Sequence, residues 1–157
     1  MARFFQNTLM FKRLQNLTKL DRFKAFTFAL DRSDVKNMII EFNTQKQLYN
    51  KGIDSKGRDL KTIGGDYSFV TKDIKDFLNQ PIDRITLKDT GEFYESFSVH
   101  VSSTDIQISA DTIKDDDDLT DRWGKDIIGL TDENLQKIIE FAKIRYIEYA
   151  KQLLYKS

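Results

Sequence analysis

Cysteine is absent from this chain of 157 residues, which removes disulfides, thiolate metal sites and a cysteine nucleophile from consideration. Histidine occurs once, at His100, so any Ser-His-Asp triad would have to be built on it. That histidine stands among the polar members of an alternating run and reads as a surface strand residue. Proline also occurs once, at Pro81. No apolar run approaches the ~18 residues of a membrane span, and the N-terminus lacks the uninterrupted apolar region and cleavage site of a signal peptide. The expectation is a soluble, unsecreted protein with no membrane contact. Gly64-Gly65 is not followed by the lysine and hydroxyl residue of a phosphate-binding loop, and no dinucleotide fingerprint occurs elsewhere.

What is present suffices for one domain over 1–157, with 39% hydrophobic and 12% aromatic residues. The net charge of zero hides an uneven distribution. Residues 1–53 hold ten Lys/Arg against four Asp/Glu, a balance of +6, and residues 104–133 hold three against ten, a balance of −7. Such a chain can present solvated faces of both signs, bind nucleic acid or an anionic membrane through its basic half and cations through its acidic segment, or bind copies of itself.

The local signals agree best over residues 83–111. Ile85 and Leu87 alternate with polar neighbours, which predicts a strand, and Gly91 can take the positive φ that ends it. Asp89 and Glu92 have capping-box spacing, so a helical turn is expected over Glu92 to Ser96 with Phe93 and Phe97 stacked. A hairpin follows: Phe97, Val99 and Val101 point one way, and Ile106, Ile108 and Ala110 repeat the pattern beyond Ser103-Thr104-Asp105. Its apolar face needs a cover, and the long apolar candidates are helices at the two ends of the chain. The fold class expected is therefore α+β, a small antiparallel sheet packed against long N-terminal and C-terminal helices.

Residues 1–51 read as helical. Phe4, Phe5, Leu9, Phe11, Leu14, Leu17 and Leu20 recur at helical spacing, with either continuation or a bend near Asp21. A further helix is expected to start at Ser33 and Asp34, bury Val35, Met38, Ile39, Phe42 and Tyr49, and end at Gly52. Residues 52–82 read as loop-rich. Asp54, Lys56 and Gly57 fail as a calcium loop because a lysine stands at a ligand position and no glutamate closes the site. Tyr67 to Leu78 is expected to give a short strand and a turn of helix anchored by Ile74, Phe77 and Leu78. Residues 112–130 read as an acidic loop around Asp115, Asp116, Asp117 and Asp118, with Trp123 as an anchor on the core. Residues 131–155 form the last helix, capped by Thr131. Leu135, Ile138, Ile139, Ala142, Tyr146, Tyr149 and Leu153 are its core face, and Phe141, Ile144, Ile147 and Leu154 a second apolar face suited to oligomer contact.

The stretch Leu87-Lys88-Asp89-Thr90-Gly91-Glu92-Phe93-Tyr94-Glu95-Ser96-Phe97, leading into a hairpin, resembles a motif of the small head-tail joining or tail-completion proteins of tailed bacteriophages. In that family a leucine and a polar residue precede Thr-Gly, an apolar residue, and then Ser with an apolar residue. Gln47-Leu48-Tyr49 with Gly52-Ile53-Asp54-Ser55-Lys56-Gly57, then Tyr67-Ser68-Phe69-Val70-Thr71, is similar to the helix end, loop and Tyr-Ser-x-x-Thr segment of the same family. The resemblance covers roughly residues 40–110. The aromatic N-terminal helix and the acidic segment with its long C-terminal helix stand outside it.

The resemblance implies a structural virion protein at the head-tail connector, neck or tail-completion position, found in host cytoplasm during assembly. It implies no active site and no cofactor. It further implies a homo-oligomeric ring that contacts portal or adaptor and tail proteins and through whose lumen DNA passes without sequence-specific binding. Such a ring repeats a head-to-tail contact until it closes. The charge split suggests Arg13, Lys19, Arg22 and Lys24 of one subunit facing Asp115 to Asp118 of the next. Two other classes stand beside this: an adaptor or nucleic-acid-binding module using the basic aromatic N-terminal helix, and a metal-dependent enzyme built on the aspartates.

Overall fold

The computed structural model describes residues 9–114 and 117–155. Its architecture is α+β, about 60% helical with two short antiparallel pairs of strands. The first helix, α1, is Leu9–Thr18 and the second, α2, is Arg22–Leu30. Between them the chain bends. Asp21 caps α2 by accepting hydrogen bonds from the Phe23 and Lys24 amides, so a carboxylate takes the orphan donors at the positive end of the helix.

The next helix, α3, is Ser33–Glu41, and it runs on as a π-helical segment, Phe42–Tyr49. Arg32 occupies the cap position without a side-chain bond, and Asp34 instead accepts from the Val35 amide and pairs with Arg32. The helix stops at Gly52, whose φ of 64° lets its amide reach back to the Leu48 carbonyl. This long element serves two apolar clusters. Val35 and Ile39 join Ala29, Leu30, Val101, Ile138 and Ala142 in the first, and Leu48 joins Leu60, Ile85, Tyr94, Phe97, Trp123 and Ile127 in the second.

Two short helices follow, α4 (Leu60–Gly64) and α5 (Phe69–Phe77), where the sequence reads as loop-rich with a strand. Asp59 and Ser68 cap them through the amides of Lys61 and Thr71. The strand expected at Ile85 and Leu87 is absent. Ile85 and Thr86 are both fully buried, so the alternation of a half-wet strand does not hold. The backbone of Thr86 is satisfied by tyrosines in place of a neighbouring strand: its amide donates to the Tyr67 hydroxyl, and its carbonyl accepts from that of Tyr94.

The turn α6 (Glu92–Glu95) begins at Gly91, with φ 107°, rather than at a capping Asp89, which is ion-paired to Lys114. Phe93 and Phe97 stack edge-on at 5.1 Å as expected. The hairpin also holds: β1 (Ser98–Val101) pairs antiparallel with β2 (Ile106–Ser109), Val99 opposite Ile108 and Val101 opposite Ile106. His100 is exposed and lies opposite Gln107. Ile108 touches both clusters and so joins them.

The segment read as an acidic loop has structure of its own. The pair β3 (Ile113–Lys114) and β4 (Asp117–Asp118) leads into α7 (Leu119–Trp123) and a 3-10 turn, Lys125–Ile127. The last helix, α8 (Asp132–Leu154), is capped by Thr131 at the Asn134 amide, and both α1 and α2 pack on it.

Candidate interaction surface

Helix α5 is amphipathic in the reverse sense. Its inward residue is Lys75, 5% exposed, and the stripe Val70, Ile74 and Phe77 at i, i+4 and i+7 lies outward, with Phe77 85% exposed. The three anchors expected on the core, Ile74, Phe77 and Leu78, are therefore all on the surface. The reason lies in what the lysine finds inside. Its ammonium donates to the Lys88 carbonyl at 2.6 Å, to Gln80 Oε1 at 2.8 Å and to Thr86 Oγ1 at 3.4 Å, and sits 4.9 Å from the centre of the Tyr67 ring. Three oxygens meet three donors, so the buried charge keeps a full set of hydrogen bonds.

The end of α5 builds that socket. Asn79 adopts φ 53°, its amide donates to the Asp76 carbonyl, and the Gln80 amide donates to that of Lys75. This is a Schellman ending with asparagine in the left-handed position. It turns the Gln80 side chain back onto Lys75. At the other end Asp66 accepts from both Lys61 and Lys72, whose hydrogen bonds hold its carboxyl well below the usual carboxylate range. Polar anchors thus fix α5 from both ends, and among the described residues its apolar stripe is left half or more exposed. Asp73 and Asp76 border the stripe and form no ion pair among the described residues.

A cleft of about 650 Å³ separates α5 from β4 and α7. Several of its charged groups are engaged with their own surroundings, while Asp117 and Asp121 are exposed at its edge. Lys114 pairs with Asp89, Arg122 donates to the Gly64 carbonyl, and Asp118 caps α7 at the Thr120 amide, which lowers its carboxyl. Among the described residues no group of three or more His, Asp or Glu could hold a metal ion.

The other residues singled out in the sequence fall into three groups. Lys19, Arg22 and Lys24 are exposed on the α1–α2 side, and the Arg13 guanidinium lies 4.8 Å over the Tyr155 ring at the end of α8. Asp117 and Asp118 belong to β4, and Asp115 and Asp116 lie outside the described residues. On α8, Ile144 and Ile147 are exposed at 58% and 43%, but Phe141 packs against the first core cluster and Leu154 is half-buried. Phe141 is thus not part of a free second face. Leu135 and Ile139, expected inside, are exposed, because the helix turns its Asn134, Ile138 and Ala142 side inward.

Sequence periodicity missed the most ordered polar feature, a buried clasp on the loop before α8. Asn43 donates to the Ile127 carbonyl and accepts from the Gly129 amide at 2.7 Å. Gln47 donates to the Gly129 carbonyl and accepts from the Thr131 amide and the Asn134 side chain. From the other side Arg58 joins the fully buried Asp54 to Asp126, and Lys56 also pairs with Asp126. Comparison with protein-family models, curated proteins and solved structures found no match to this chain.

Proposed function

We propose that this chain is a ring-forming structural protein of a tailed-phage virion, acting at the neck or tail-completion position. The observation that supports the reading most directly is the reversed amphipathicity of α5. A helix anchored inward by a saturated lysine and outward-facing with Val70, Ile74 and Phe77 leaves apolar area for another molecule to cover. Exposed Ile144 and Ile147 on α8 form a separate apolar area. Distinct patches on one subunit suit a heterologous contact, the kind that closes into rings. A motif resemblance over residues 40–110 points the same way.

Light scattering after size-exclusion chromatography, over a range of protein and salt concentrations, tests the reading. A discrete high oligomer, or a monomer that joins a ring when portal protein is added, is the expected result. A monomer indifferent to portal protein that retards labelled DNA in a salt-dependent manner would instead favour the nucleic-acid adaptor.

A further inference from the structure

We infer that residues 68–82, helix α5 and the turn after it, form a strap that opens as one unit over the cleft, with Lys75 as its latch. Two observations carry this. The first is what the strap does not bury. No residue of α5 belongs to either apolar cluster, its single buried side chain is Lys75, and Ile82 beyond it is exposed. The second is where its hydrogen bonds lead. Ser68 and Thr71 bond to each other, Lys72 reaches back to Asp66, and the amides of Leu78, Asn79 and Gln80 donate within the helix. Among the described residues of the strap, Lys75 alone bonds to the fold beyond it, at Thr86 Oγ1 and the Lys88 carbonyl.

Both ends of the strap are moored. Ahead of it Asp66 is paired with Lys61, and the Tyr67 hydroxyl accepts from the Thr86 amide. After it Arg84 donates to the Tyr49 carbonyl and Ile85 is fully buried. A nine-residue helix is marginal in water unless packing retains it, so once the ammonium leaves its socket α5 has no apolar contact to hold its shape. Release then widens the cleft, whose far wall includes Leu119 and Trp123, and uncovers the fully buried Thr86. The device belongs to a single copy and is independent of the ring reading.

Hydrogen exchange of the full chain, read by mass spectrometry, tests the latch. In the parent the α5 amides should exchange together and at least about tenfold faster than those of α8 around Ile138 and Ala142. Leu48→Ala weakens the whole fold and should speed α8 while leaving α5 unchanged, because local opening does not pass through global unfolding. Lys75→Ala should speed α5 by about tenfold or more and leave α8 within about twofold, the loss expected for hydrogen bonds made by a charged group. Gln80→Ala removes one of the three acceptors from a partly exposed position and should speed α5 by less. Acrylamide quenching of Trp123 should rise in Lys75→Ala as the cleft opens. Equal protection of α5 and α8 in the parent, or a rise in both in Lys75→Ala, would overturn the inference. Faster α5 exchange with unchanged quenching would also overturn it, since the helix would then fray without opening the cleft.

Discussion

Gln47 shows how much one buried side chain can hold. Its carboxamide serves the Gly129 carbonyl, the Thr131 amide and the Asn134 side chain, all drawn from a segment more than eighty residues away. Gln47→Leu keeps the approximate volume and strands those three groups without partners. At about 1–3 kcal/mol for a buried polar group left unsatisfied, with partial relaxation, the expected loss of unfolding free energy is about 2–4 kcal/mol. Urea unfolding followed by the fluorescence of Trp123, the sole tryptophan, measures it. A loss under about 0.5 kcal/mol, the range of an ordinary surface change, would mean the clasp is dispensable.

At the scale of the element, α5 separates stability from assembly. Phe77 is on the surface of the isolated chain, so Phe77→Ser should leave monomer stability within about 0.5 kcal/mol of the parent. On the ring reading it should also weaken oligomer formation, shifting the mass measured by light scattering toward the monomer at equal protein concentration. Leu48→Ala provides the contrast, since it empties a fully buried site and should cost about 2–5 kcal/mol. The misreading of α5 is instructive here. Spacing of apolar residues locates a turn of helix at Ile74 and Phe77, but the strand expected ahead of it is the first half of the same helix, and Val70 belongs to its stripe. Which side of the helix faces inward depends on what awaits it. Here the socket for Lys75 comes from Gln80, Thr86 and Lys88, beyond the helix itself.

Across the whole molecule, six carboxylates among the described residues are engaged in ion pairs or caps. Those of Asp34, Asp66, Asp89, Asp118, Asp126 and Glu133 are all held below their ordinary values, chiefly by hydrogen bonds from Arg32, Lys61, Lys114, the Thr120 amide, Lys56 and Lys137 respectively. For each, the unfolded chain binds a proton more readily than the folded one, so folding is favoured above the ordinary carboxylate value and that advantage is lost as pH falls through the folded value. Thermal midpoints should stay level down to about pH 5 and drop steadily below it. In Asp66→Asn the acid-induced drop should be shallower, since a neutral amide removes one such proton from the balance. An unchanged slope would show that the Lys61 and Lys72 contacts do not persist in solution.

Some of this was decided by the chain alone. Alternation in Phe97 to Ala110 leaves little choice but a hairpin with Val99, Val101, Ile106 and Ile108 on one face, because side chains on a strand must alternate. Thr131 followed by Asp132 and Glu133 starts the last helix by the same local logic of orphan amides and the helix dipole. Other features were settled only by contacts distant in sequence. Thr86 lies in no strand because Tyr67 and Tyr94 supply its hydrogen bonds, and the segment after Asp118 is held in place by Asn43, Gln47, Asp54 and Arg58. Backbone periodicity and capping act within a few residues, so a sequence carries them openly. Burial of a polar or charged group depends on partners from elsewhere in the chain, and only folding brings those partners together.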